Sequence, residues 1–244
     1  MDPQDDPLRE GVEQLARELE EFAGSGELPG REPTAVHDAE SRWVWLRLAM
    51  KPAGIPSRTA AFGICALLGS MVCMGLGGGR AMADQKDPRL TELFEGLAAA
   101  TSGPEAAPIE ERIWQLWADA DDDAVDRVMA TGTHAMAVGD GAGALEAFNA
   151  AVARKPDFAE AWNKRATLYY LLRRYAESIA DIEQTLELEP RHFGALSGLA
   201  LIREAQNRPF EALEALERAS QIHPQLPNLR ERVDRLTAQL GVAI

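Results

Sequence analysis

The sequence is poor in cysteine, with only Cys65 and Cys73, and both stand inside one apolar stretch, so a disulfide framework cannot hold the rest of the chain. No basic run interleaved with aromatics occurs, and 25 Lys and Arg against 39 Asp and Glu leave a formal charge of −14. Nucleic acid, whose phosphates need a basic face, is therefore not expected as a partner. G-x-S-x-G, a Walker loop and a nucleophilic cysteine are all missing. His134, His192 and His223 share no metal-ligand spacing. Gly139, Gly141 and Gly143 imitate a phosphate-binding spacing, but they join two helical patterns instead of following a strand. These absences predict no catalytic residue, no metal, no cofactor and no small-molecule substrate. What the chain does have is an ordinary apolar fraction of 46% and an acidic surface that favours solubility.

Residues 1–58 form an acidic leader rich in Gly and Pro, with one short helical pattern through Val12, Leu15, Leu19 and Phe22 and an aromatic island at Trp43 and Trp45. From Thr59 to Gly79 run 21 residues without a charge, preceded by Lys51 and Arg58 and followed by Ala81-Met82-Ala83. That is the layout of a secretory signal over 59–83, with cleavage expected at Ala83-Asp84. A start at Met50 gives this signal ordinary proportions, whereas a start at Met1 puts 49 further residues ahead of it, and both starts stay open. The rival reading is an uncleaved anchor, because about 20 apolar residues span a bilayer. The bases ahead of the stretch place the chain from Asp84 onward outside the cytoplasm either way. The expected location is thus periplasmic or exported, or else membrane-anchored through residues 59–79 alone. Lipid attachment is disfavoured, because Ile64 and Val72 precede the two cysteines where a small residue is needed.

Beyond Asp84 the sequence is organised by a period. Pro156, Pro190 and Pro224 lie 34 residues apart, and units of 125–158, 159–192 and 193–226 bring whole columns into step. The twentieth position is Ala144, Ser178 and Ala212, the twenty-fourth Phe148, Ile182 and Leu216, and the twenty-seventh Ala151, Thr185 and Ala219. In the middle unit Trp162, Ala166 and Tyr169 match W-x2-L-G-x2-Y in spacing, with Arg165 where the pattern asks for Leu. The stretch closely resembles the tetratricopeptide repeat. That resemblance implies an all-α, right-handed α-solenoid of stacked helix-turn-helix units.

Each unit is expected to turn at its fifteenth position, Gly139, Arg173 and Asn207, where Gly and Asn suit the left-handed backbone better than Arg. Extending the frame backwards puts Phe94 at the fourth place, Ala98 at the eighth and Trp114 at the twenty-fourth, so residues 84–124 are predicted to be a degenerate helix pair capping the array. Two helical patterns there are separated by Ser102, Gly103, Pro104 and Pro108. The acidic cluster from Asp119 to Asp126 fails as a calcium loop, because Ala124 and Ala130 stand where Gly and Glu are required, and Asp123 is expected to cap the next helix. Residues 227–244 predict a capping helix with Leu229, Val233, Leu236 and Leu240 inward.

The resemblance further implies a concave face lined by the second, fifth, ninth, twelfth and thirteenth positions of each unit, able to hold a protein or peptide. Among these, Met129, Thr133, Met136, Asn163, Thr167, Tyr170, Ser197 and Leu201 are the candidate groove residues. The fifth places, Met129, Asn163 and Ser197, include no Lys, so the carboxylate clamp of chaperone-binding relatives is not implied. Two functional classes stay open, an adaptor that binds through this groove and an assembly subunit that uses its convex side or ends.

Overall fold

The computed structural model describes residues 84–241. The short helical pattern at Val12 to Phe22, the two starts, the apolar stretch with both cysteines and the Ala81-Met82-Ala83 motif lie outside the described residues. The described chain is all-helical. A first pair, α1 (Arg89–Ala99) and α2 (Gly103–Trp117), precedes three repeat pairs: α3 (Asp123–Ala137) with α4 (Gly141–Arg154), α5 (Ala159–Leu171) with α6 (Tyr175–Leu188), and α7 (Phe193–Ala205) with α8 (Pro209–Ile222). A terminal helix, α9 (Leu229–Leu240), closes the array. Within each repeat the two helices pack against one another, and the second meets the first helix of the next unit, which makes a right-handed solenoid.

The columns of the 34-residue period are the core. Ala144, Ser178 and Ala212, Phe148, Ile182 and Leu216, and Ala151, Thr185 and Ala219 are all fully buried. Small residues recur where helices approach most closely: a Cβ on Gly132 would lie 2.6 Å from the Phe148 ring. Ser178 sits in an alanine column without cost because its hydroxyl donates to the Ala166 carbonyl at 2.7 Å. The three turns are alike despite their sequences. Gly139, Arg173 and Asn207 all have left-handed φ, at 81°, 56° and 55°. The following amides close the same bond, Asp140 to Ala135 O, Arg174 to Tyr169 O and Arg208 to Arg203 O, each at 2.8 Å. Arg173 is therefore held in a strained conformation by its surroundings.

Arg165 takes the place of the expected Leu by a different kind of packing. Its guanidinium makes two bonds to Asp181 on α6, at 2.7 and 2.8 Å, reaches Asn149 of the preceding repeat at 2.8 Å, and lies 4.9 Å from the Trp162 ring centre. A forked cation thus ties three helices where a leucine would fill one hole.

The first helix pair forms, but not as a front cap. Its core rings pack where the second repeat meets the third: Trp117 stacks on His192 at 4.2 Å with planes 8° apart, and Trp114 meets Phe193 edge-on at 5.4 Å. Ala98, which the backward frame places in a close-packed column, is exposed, while neighbouring Leu97 is fully buried. Phe94 and Trp114, the other two places of the backward frame, are buried, but in a core shared with Phe193, Leu196 and Leu216 of the third repeat. Helix α2 also begins earlier than Pro108 suggested. Pro104 fits its first turn, and Glu105 reaches back to accept from the Thr101 amide at 2.9 Å, so the helix runs through Pro108. At α3 the cap is Asp122, one residue before the expected Asp123, accepting from the amides of Ala124 and Val125. Asp126 accepts from Ala120 N and Asp119 from Asp121 N, so these carboxylates serve the turn. Burial, with Asp119, Asp122 and Asp123 nearby, pushes the Asp126 carboxyl up.

Candidate protein-interaction groove

The inward positions of α3, α5 and α7 carry the predicted groove residues, and their surroundings differ from the expected open surface. Met129 and Met136 belong to the core shared by the first two repeats, whereas Tyr170 and Leu201 belong to that of the second and third. Thr133 is half-buried. Asn163, Thr167 and Ser197 are only 1%, 0% and 3% exposed. Tyr170 also lies 5.9 Å from Tyr175, ring to ring, so its phenol is a packing element at least as much as a contact. The structure joins Asn163 to Thr167 directly, since the Thr167 hydroxyl donates to the Asn163 carbonyl at 2.9 Å.

Sequence reasoning missed a polar network beneath these residues. Glu160, in the second position of its unit, accepts from Asn163 Nδ2 at 2.9 Å and faces Lys164 Nζ at 3.4 Å and His192 Nε2 at 3.2 Å. His192 Nδ1 accepts from the Ala195 amide at 3.1 Å, which caps α7 and leaves the ring proton on Nε2, where it donates to Glu160. Burial opposes the charge on Glu160, yet the Lys164 ammonium and the bonds from His192 and Asn163 outweigh it and hold the carboxyl below the usual range. The only sequence signal was the pairing of acid and base at 160 and 164, one helical turn apart.

Two side-chain atoms in this region have no hydrogen-bond partner among the described residues: Asn163 Oδ1 and Ser197 Oγ. They occupy the same fifth place in adjacent repeats, on α5 and α7. A buried polar atom without a partner costs about 1–3 kcal/mol, and these two stand at equivalent places on adjacent helices.

Both ends of the groove wall are built from outside the repeats. At Gly194, a second-position residue, a Cβ would lie 2.7 Å from the Trp114 ring, so α2 presses directly on the α7 backbone there. At the twelfth position Glu204 is taken by α9, bonding Arg232 at 2.6 Å and Arg235 at 2.5 Å. Helix α9 buries Leu229 and Leu236, and it also turns Arg232 inward. Among the described residues no helix is long and apolar enough to cross a membrane.

Comparison with known proteins agrees with this architecture. The tetratricopeptide repeat model matches residues 129–182 and 169–227. A tetratricopeptide repeat-containing protein of Rhizobium etli is 36% identical over 153 residues, which cover 63% of this chain and 75% of that protein. An aligned stretch of that length within 244 residues necessarily takes in α2 as well as repeat sequence. The small glutamine-rich tetratricopeptide repeat-containing protein 2 of Saccharomyces cerevisiae is 31% identical over 91 residues, 37% of this chain and 26% of that protein. A repeat core, turn geometry and sequence likeness that agree over this length mean that the chain belongs to the tetratricopeptide repeat family, whose repeats are protein-interaction scaffolds.

Proposed function

We propose that the protein is a non-catalytic adaptor that binds an extended, uncharged stretch of a partner protein between its second and third repeats. The observation that carries this reading is the pair of unpartnered atoms, Asn163 Oδ1 and Ser197 Oγ, in matching places on adjacent helices. An amide oxygen accepts and a hydroxyl both accepts and donates, which suits the alternating groups of a peptide backbone. Glu160 next to them is already compensated by Lys164 and His192, so the patch offers no net charge to a terminal carboxylate or ammonium.

Export after cleavage at Ala83-Asp84 is part of the same proposal. Supporting it, Asp84, the residue that would follow the cut, is 1% exposed and bound into the fold, accepting from Lys86 N at 2.7 Å and facing Lys155 Nζ at 3.4 Å. Retention of the apolar stretch as an anchor leaves the adaptor role unchanged and alters only its tether. The test places a photo-crosslinking residue at Asn163 or Ser197, and at convex Glu183 or Glu217 as controls, in the producing cell. Adducts at each inner site are expected, lost when the other inner residue is changed to alanine (Ser197→Ala for the probe at 163, Asn163→Ala for the probe at 197), while adducts confined to the convex sites would favour the assembly-subunit reading. N-terminal sequencing of the same purified material should begin at Asp84.

A further inference from the structure

The three proline junctions that set the period form a row along one edge of the solenoid, and the first helix pair lies along it. Ahead of α1, Gln85 bonds Asp157 O and accepts from Ala159 N, while Lys86 Nζ meets Asp157 at 2.6 Å, all at the first junction. Midway along α1, the Phe94 ring lies 4.3 Å from the Arg191 guanidinium at the second junction. Just past its end, the Ala100 carbonyl accepts from Gln225 at 3.3 Å at the third. Helix α2 then returns the other way: Glu110 faces His223 at 3.3 Å, Trp114 and Trp117 pack on His192 and Phe193, and the Ala120 carbonyl accepts from Lys155 back at the first junction.

We infer that α1 and α2 act as a brace that fixes the rotation between successive repeats and so sets the curvature of the concave face. In a solenoid each repeat touches only its neighbours, so the angle between repeats is a soft coordinate whose small errors accumulate along the array. Helices of 11 and 15 residues are about 16 and 22 Å long at about 1.5 Å per residue, enough to lie across several repeats. A rigid pair tied at three points removes that freedom, and at the second of them it also packs on His192, which joins the second repeat to the third. The brace also carries the Trp114 ring onto Gly194, so the wall and the curvature of the groove are set together.

The test measures a distance on the edge away from the brace. Val138 and Phe210, 65% and 67% exposed, lie at the turn of the first repeat and the start of the last repeat helix. In the full chain with Cys65 and Cys73 replaced by Ser, spin labels at Val138→Cys and Phe210→Cys report the spread between outer repeats. A narrow distribution is expected, at least doubling in width in Trp114→Ala/Trp117→Ala. Phe148→Ala, which loosens one repeat core but leaves the brace alone, should broaden it far less. Equal widths with and without the two tryptophans, or equal broadening by Phe148→Ala, would overturn the inference. Should the double variant not fold, Gln85→Ala/Gln225→Ala cuts the ties at the outer junctions; broadening there supports the brace and an unchanged width refutes it.

Discussion

The repeats and the helix pair in front of them are both helical hairpins of similar length, yet they are held by opposite means. In the repeats the packing is periodic and small, as in the fully buried column of Ala144, Ser178 and Ala212, with Arg165 to Asn149 a polar link across a repeat boundary. Between the helix pair and the repeats the contacts are aperiodic, aromatic and polar: Trp117 on His192, Glu110 on His223, Gln85 on the Asp157 backbone. The repeat interface copies itself because every unit presents the same face to the next. The helix pair has no such copy to meet, and it settles on the one feature that recurs along the edge, the junction turns. A 34-residue beat therefore specifies two surfaces at once, a stacking face and a row of equivalent turns.

Substitutions at three places sharpen this contrast: the Arg165–Asp181 pair, Glu160, and the turns at 173 and 207. The largest effect is expected at Arg165, where the stacking face departs from its own pattern. Arg165→Leu restores the family residue but strands Asp181, 4% exposed, without its two guanidinium bonds, and should cost about 2 kcal/mol, less than a fully buried pair because Arg165 is 16% exposed. Asp181→Leu in addition should recover most of the loss, measured by urea denaturation; a stabilising single change would mean that packing, not the ion pair, governs the position.

The next concerns acid, and it acts where brace and repeats meet. Glu160 has a lowered folded pKa, so its contribution is present above the unfolded value and is lost as pH falls through the folded one. Asp157, whose bond from Lys86 ties the brace to the first junction, is lowered in the same direction. Stability should thus fall from about pH 4.3 downward, and Glu160→Gln should flatten that fall while lowering stability at neutral pH. A pH profile of the melting temperature that is the same for both proteins would remove Glu160 from the account.

The smallest effect lies in the turns. Arg173→Gly relieves a left-handed backbone at φ 56° and should raise stability by about 0.5–1 kcal/mol, because the relief of strain exceeds the added chain entropy of Gly. Asn207→Gly, in the same turn one repeat later, should do less, since Asn tolerates that region. The ranking, read by differential scanning calorimetry, checks that all three turns are set by the stack and not by their own residues.

Most of the repeat region was legible because its information is redundant. Three copies of each column, and Gly or Asn at two of three turns, point to the same helix pairs. Residue 173 shows the limit: its sequence argues against a tight left-handed turn, yet the helices on either side impose one. The candidate groove was legible as positions, not as environments. Spacing placed Asn163 and Ser197 in matching places, but it did not show that Tyr170 is a packing residue, so Tyr170→Ala is expected to lower stability and is a poor test of binding. The seat of the helix pair was not legible at all. The aperiodic contacts of Trp114, Trp117 and Glu110 join residues up to 113 positions apart, and no local pattern encodes such a pairing.

Where the helix pair sits can be decided by hydrogen exchange on the full chain, comparing the wild type with Trp114→Ala/Trp117→Ala. Docking along the junction row predicts faster exchange within residues 84–117 and at three separated stretches, 157–161, 191–196 and 223–229, with α3 little changed. Faster exchange confined to 84–117 and α3, the signature of a cap stacked in front of the first repeat, would contradict it.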